Sequence, residues 1–119
     1  MPAVNILSLH TQKSGDGTAD YVYSDVVPAG ETWLVRNVCA QDATTPVVYC
    51  AIGIFNGVTY RPLKIQHTMY NEEVYMNYGA DWQGEVWLRE GECIYALLAA
   101  TVASDNLTLD VQGEKLLEA

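Results

Sequence analysis

Positive charge is scarce in this chain. Six lysines and arginines stand against fifteen carboxylates, a formal net charge of −9. Gripping a phosphate backbone needs the opposite balance, so nucleic acid is excluded as a partner. Anionic membrane surfaces are excluded with it. Histidine is scarcer still, with only His10 and His67. A cupin-type metal centre needs two histidines one residue apart, then a carboxylate and a further histidine. No H-x-H occurs, and Asp16, Asp20 and Asp25 lack the spacing of a calcium loop. No metal and no cofactor are therefore expected. The three cysteines, Cys39, Cys50 and Cys93, form no C-x-x-C pair. They read as small core hydrophobes, with a Cys39–Cys50 bridge across adjacent strands as the alternative. Neither a G-x-S-x-G elbow nor a phosphate-binding G-x-x-x-x-G-K loop is present. Long apolar runs are missing too. The most apolar stretch, "CIYALLAATVA" from 93 to 103, is too short to span a bilayer. The opening "MPAVNILSLHTQKSGDG" has no basic segment leading into an apolar one, so no secretory leader is expected.

What remains is a strand-and-turn grammar. A chain of 119 residues, half of them hydrophobic, suits one ordered domain with a single core. Turn-forming clusters recur every eight to twelve residues: "SGDG", "PAGE", "DATTP", "NG", "YGADWQG", "EGE" and "SDN". Between them lie short runs rich in Val, Ile, Tyr, Thr and Trp. This spacing predicts an all-β antiparallel β-sandwich of about eight strands, jelly-roll-like. Strands are expected near 4–12, 19–27, 32–41, 46–55, 58–66, 70–77, 85–89, 92–101 and 106–113. Asn56-Gly57 predicts a type I′ hairpin turn. No helix is expected beyond one turn in the closing "GEKLLEA". Residues 1–18 form an arm or edge strand, 19–115 the sandwich, and 116–119 a frayed end.

Two strands carry most of the information. In "NLTLDVQG", Leu107, Leu109 and Val111 alternate with Thr108, Asp110 and Gln112, so one face is buried and the other solvated. In "ECIYALLAATV", Ile94, Ala96, Leu98 and Ala100 share one face, yet Tyr95, Leu97, Ala99 and Val102 make the other face or its continuation apolar as well. The opposite layer of a sandwich covers only one face. The second implies contact with another subunit.

A phrase is also repeated. "VPAGETWLVRNV" near residue 27 is matched sixty residues later by "LREGECIYALLA". Each is an apolar residue, a turn with Gly-Glu, and then a strand. These two phrases, the hairpin between them and the closing "DNLTLDVQGEKL" resemble small phage virion proteins over roughly residues 20–115. The family is that of capsid decoration or cement proteins and related jelly-roll accessory proteins. The resemblance implies no catalytic residues and no enzyme. It implies a homodimer or homotrimer bound to the outer surface of a shell of major capsid protein, located on the virion and made in the host cytoplasm.

Two segments are the candidate interfaces. "HTMYNEEVYMNYGADW" brings Tyr70, Tyr75, Met76, Tyr78 and Trp82 together with Asn and Glu. Adaptable methionine with tyrosine and tryptophan anchors is an interface composition. The N-terminal "AVNILSLHTQ" carries Ile6, Leu7 and Leu9 and could add a strand to a neighbour's sheet. The alternative is a carbohydrate-binding β-sandwich of a phage tail or host-attachment structure. It would use Trp82, Trp87 and the nearby carboxylates Glu72, Glu73, Asp81 and Glu85.

Overall fold

The computed structural model describes residues 3–44, 49–67, 79–99 and 101–117. Among the described residues, eight strands follow one another along the chain. They are β1 (Ala3–Ser14), β2 (Ala19–Tyr23), β3 (Glu31–Asp42), β4 (Tyr49–Phe55), β5 (Tyr60–His67), β6 (Gly79–Leu88), β7 (Cys93–Ala99) and β8 (Asn106–Leu117). They form two four-stranded sheets, β1-β8-β3-β6 and β2-β7-β4-β5. Every pairing is antiparallel. Consecutive strands mostly switch sheets, and the first and last strands pair along their full length. That is the strand order of a jelly roll, so the expected all-β sandwich is what the chain forms.

Period-two alternation places the core between the sheets. Leu107, Leu109 and Val111 of β8, Ile94, Ala96 and Leu98 of β7, and Cys50, Ile52 and Ile54 of β4 meet there, all 3% exposed or less. In β3 the parity changes. Trp33 and Val35 point inward, and so do Val38 and Ala40. A bulge between Val35 and Asn37 makes this possible by giving Arg36 no opposite number. The extra residue is a cation and faces water, where it pairs with Glu85 at 2.7 Å and Glu114 at 3.6 Å. A second bulge, between Ile52 and Gly53, lets Leu63 of β5 pack against the core.

The repeated phrase becomes two equivalent turns. Glu31 N–H donates to Pro28 O and Glu92 N–H to Arg89 O, each closing a four-residue turn. Gly30 (φ +81°) and Gly91 (φ +86°) occupy the third position of their turns, where a side chain would be strained. The turns lie side by side. Gly91 N–H donates to Val27 O, and Val27 N–H donates to Glu92 O.

Several expectations need correction. "YGADWQG" reads as a turn, but residues 79–88 are one continuous strand. Its glycines serve close packing: a Cβ on Gly79 would sit 1.9 Å from Ala40 O. Asn56-Gly57 does connect β4 to β5, but not as a type I′ turn. Residues 56–59 form a four-residue loop in which Asn56 Oδ1 accepts from Val58 N–H and Thr59 N–H, and only Gly57 has positive φ. The closing residues through Leu117 are strand, not a helical turn, held between β1 and β3. Cys39 and Cys50 do not lie on adjacent strands. They belong to different sheets, and all three thiols are free. The expected strand at 70–77 lies outside the described residues.

A candidate interaction surface on the second sheet

The outer faces of the two sheets differ in kind. The first sheet turns Asp81, Glu85, Asp110 and Glu114 outward, with Arg36 and His10 among them. His10 faces Asp110 in register and bonds to it through Nδ1. This is an ordinary solvated, charged face.

The second sheet presents no formally charged side chain on its outer face among the described residues. Beneath each inward residue the pleat turns an apolar or aromatic one out: Tyr21 and Tyr23 of β2, Tyr95 and Leu97 of β7, Phe55 of β4, Tyr60 and Ile65 of β5. Register sets them in rows. Tyr21, Leu97, Ala51 and Ile65 cross the sheet in one row, and Tyr23, Tyr95, Gly53 and Pro62 in the next.

Gly53 explains why the rings converge. A Cβ there would lie 2.2 Å from Arg61 O and 2.7 Å from Tyr95 Cε1. With no side chain in the way, the Tyr95 ring settles over the backbone of β4. Tyr60 meets Tyr95 edge-on at 4.8 Å between centroids, and stacks with Phe55 at 4.3 Å. Tyr21 lies 5.0 Å from Tyr60, and Tyr23 lies 5.4 Å from Phe55. Five rings from all four strands thus form one platform, in the offset and edge-to-face arrangements that aromatic quadrupoles favour.

Two of the platform's four hydroxyls, those of Tyr23 and Tyr60, hydrogen-bond to each other. Burial, reinforced by the neighbouring Tyr60, pushes the Tyr23 phenol well above its ordinary value, so it stays neutral. Tyr21, Tyr23 and Tyr60 nevertheless remain 37–38% exposed, with Ile65 at 48%. A soluble monomer rarely leaves such a contiguous apolar surface in water.

The platform ends in a small apolar hole of about 160 Å³ bounded by Tyr23, Val26, Phe55, Gly57 and Cys93. Ser24 also lines it, but its hydroxyl is engaged, accepting from Ile94 N–H and donating to Asp25 O. Beside the hole, the 56–59 loop holds out Val58, 86% exposed.

The residues singled out from sequence are distributed otherwise. Ile6 is 85% exposed on the edge strand β1. Leu7 is fully buried, and Leu9 and Trp82 pack against the core. The pleat of β1 and β6 gives those three to the interior. Tyr70, Tyr75, Met76 and Tyr78 lie outside the described residues. Of the platform's rings the sequence singles out Tyr95, on the second apolar face of "ECIYALLAATV", and not Tyr21, Tyr23, Phe55 or Tyr60. Their signal was the Y-x-Y spacing of Tyr21 and Tyr23, and Phe55 and Tyr60 flanking one turn.

Among the described residues no three of His, Cys, Asp and Glu are grouped to hold a metal ion. The groove at Trp87, of about 500 Å³, is open and lined by Gly30, Glu31, Thr32, Arg89 and Glu90.

No protein family matches the chain, and no curated protein matches it in sequence. Solved structures do resemble it. One is of Bacillus endospore appendages, a family of disulfide-linked pili. It has TM-score 0.50 and 12% identity, over 100% of this chain and 92% of that one. Another is the cleaved adhesin domain of Lys-gingipain from Porphyromonas gingivalis. It has TM-score 0.36 and 16% identity, over 92% of this chain and 73% of that one. A third is infectious bursal disease virus, strain Gx, with TM-score 0.28 and 6% identity, over 99% of this chain and 42% of that one. At these identities the first likeness speaks to the fold.

Proposed function

We propose that this chain is a non-enzymatic structural subunit of a multi-copy assembly: a decoration protein on the outer surface of a phage capsid, bound to major capsid protein. The observation that carries this reading is the second sheet, which has core-like residues on both faces. An outer face without formal charge among the described residues, with the Tyr23 and Tyr60 hydroxyls paired to each other, is suited to being covered. The likeness to the endospore-appendage chain is compatible, since that protein belongs to a family of disulfide-linked pili. Many modest contacts repeated over a lattice stabilise a shell by bridging its subunits. Purified protein added to undecorated capsids is expected to bind them and raise their melting temperature. Absence of binding to intact heads would overturn the capsid reading.

A second reading rests on Trp87. It stands 51% exposed beside Thr32, Arg89 and Glu90. A tryptophan face flanked by polar groups can stack on a sugar ring while they bond its hydroxyls. Glycan-array binding lost in Trp87→Ala would favour this carbohydrate-binding reading.

A further inference from the structure

We propose that the uncharged face of the second sheet pairs with the same face of a second copy about a two-fold axis, with Val58 of each copy seated in the other's apolar hole. The inference deepens the assembly reading, resting on its premise that this face is covered, and names the partner.

Self-complementarity is the first reason. A knob and a hole lie side by side on one molecule, and a two-fold axis between them satisfies both at once. The knob is presented firmly, because Asn56 Oδ1 accepts the amides of both Val58 and Thr59 at 2.9 and 2.7 Å. The hole, at about 160 Å³, is large enough for a valine side chain.

Charge is the second reason. Copies carrying −9 each repel unless their contact lies away from the acids. Here Asp81, Glu85, Asp110 and Glu114 project from the far side of the other sheet. Sheets pack about 10 Å apart, so in a face-to-face pair these groups are separated by more than the Debye length of about 8 Å. At the rim, Glu92 is neutralised by Arg61 at 2.8 Å. Asp25 stands exposed between two hole-lining residues, where water can keep it solvated.

Desolvation is the third reason. Pairing strips water from few polar groups, because the Ser24 hydroxyl is engaged and the Tyr23 and Tyr60 hydroxyls bond each other, leaving the Tyr21 and Tyr95 hydroxyls to be met by the partner or by water.

Size sets the strength. Four strands about 4.8 Å apart, with about six residues of roughly 3.3 Å each, project roughly 400 Å². With the adjoining loops, a pair buries on the order of 1,000–1,200 Å² in total, the low end for a specific interface. An interface of this size belongs with weak, reversible pairs, so the equilibrium is expected within the micromolar range.

Sedimentation velocity on the full chain from about 1 to 500 μM tests this. Wild type is expected to show a reversible monomer–dimer equilibrium. Val58→Asp is expected to weaken it at least about tenfold, while Ile6→Asp, equally exposed but on the other sheet, leaves it unchanged. Both sites are on the surface, and circular dichroism confirms that each variant folds. A wild type monomeric at 500 μM, or a dimer broken by Ile6→Asp but not by Val58→Asp, would overturn the proposal. Capsid binding measured in parallel separates the two readings. A wild-type monomer that binds capsids through Val58 sinks the self-pairing and leaves the assembly reading standing. A Val58-dependent dimer that ignores capsids supports the self-pairing and ends the decoration reading.

Discussion

Gly91 and Val27 tie together the two halves of the repeated phrase: the Gly91 amide donates to the Val27 carbonyl at 3.0 Å. The Val27 amide in turn reaches Glu92 O at 2.9 Å. The pair of turns is thus one hydrogen-bonded unit at one end of the sandwich. Both Gly30 and Gly91 have positive φ with open space around the missing side chain. Gly30→Ala and Gly91→Ala are each expected to cost about 1 kcal/mol through backbone strain alone. Urea denaturation checks this. Costs near zero at both sites would contradict the turn geometry.

Leu97 and Leu98 are neighbours on β7 with opposite duties. Leu98 is fully buried, whereas Leu97 lies on the outer face. Leu98→Ala is expected to destabilise the fold by about 2–5 kcal/mol, as a large-to-small change in a packed core. Leu97→Ala is expected to cost under about 1 kcal/mol, because the site is only partly buried and leaves no closed cavity. The same denaturation series measures both, and equal costs would contradict the assignment of faces.

Asp20 makes the fold sensitive to acid. Burial alone would raise its carboxyl. The Thr101 hydroxyl at 2.6 Å, the Asp16 amide at 3.1 Å and the Lys13 ammonium at 3.3 Å outweigh burial and hold it below its ordinary value. A carboxyl with a depressed folded-state pKa stabilises the fold above its unfolded value, near 4, and that contribution is lost as pH falls through the folded value. Asp20→Asn is expected to cost about 1–3 kcal/mol at neutral pH. It should also give a shallower loss of stability below pH 4 than wild type. Melting temperature against pH shows both effects, and parallel curves would remove Asp20 from the account.

The thiols should be slow to react. Burial pushes Cys50 up to about 12 and raises Cys93. Burial also raises Cys39, with the nearby carboxylates of Asp110 and Asp81 adding to it. At neutral pH the thiolate, which is the nucleophile, is therefore sparse at all three. Labelling of the folded protein with a thiol reagent is expected to be slow, with the half-buried Cys39 first, and to become complete on unfolding. Rapid labelling of Cys50 in the native state would contradict its placement in the core.

Much of the architecture was legible in the chain because strands repeat every two residues. Leu107, Leu109 and Val111 announced one buried face. Ile94 through Ala99 announced a strand apolar on both sides. Gly-Glu after an apolar residue marked both paired turns. Other features escaped for particular reasons. The bulge at Arg36 breaks parity without any residue that signals it, because an unpaired residue exists only relative to a partner strand. Gly79 and Gly84 read as punctuation, but they sit inside β6, where Ala40 O and the Trp82 ring approach too closely for a side chain.

Which side chains are apolar, and on which parity of each strand, was determined by the sequence alone, since alternation is a local property of extended backbone. Which tyrosines share a surface was decided by the tertiary structure. Tyr21, Phe55, Tyr60 and Tyr95 are scattered over seventy-five positions. They meet because the strand order β2-β7-β4-β5 sets their strands side by side over a glycine, and strand order follows from how the two layers close on one core.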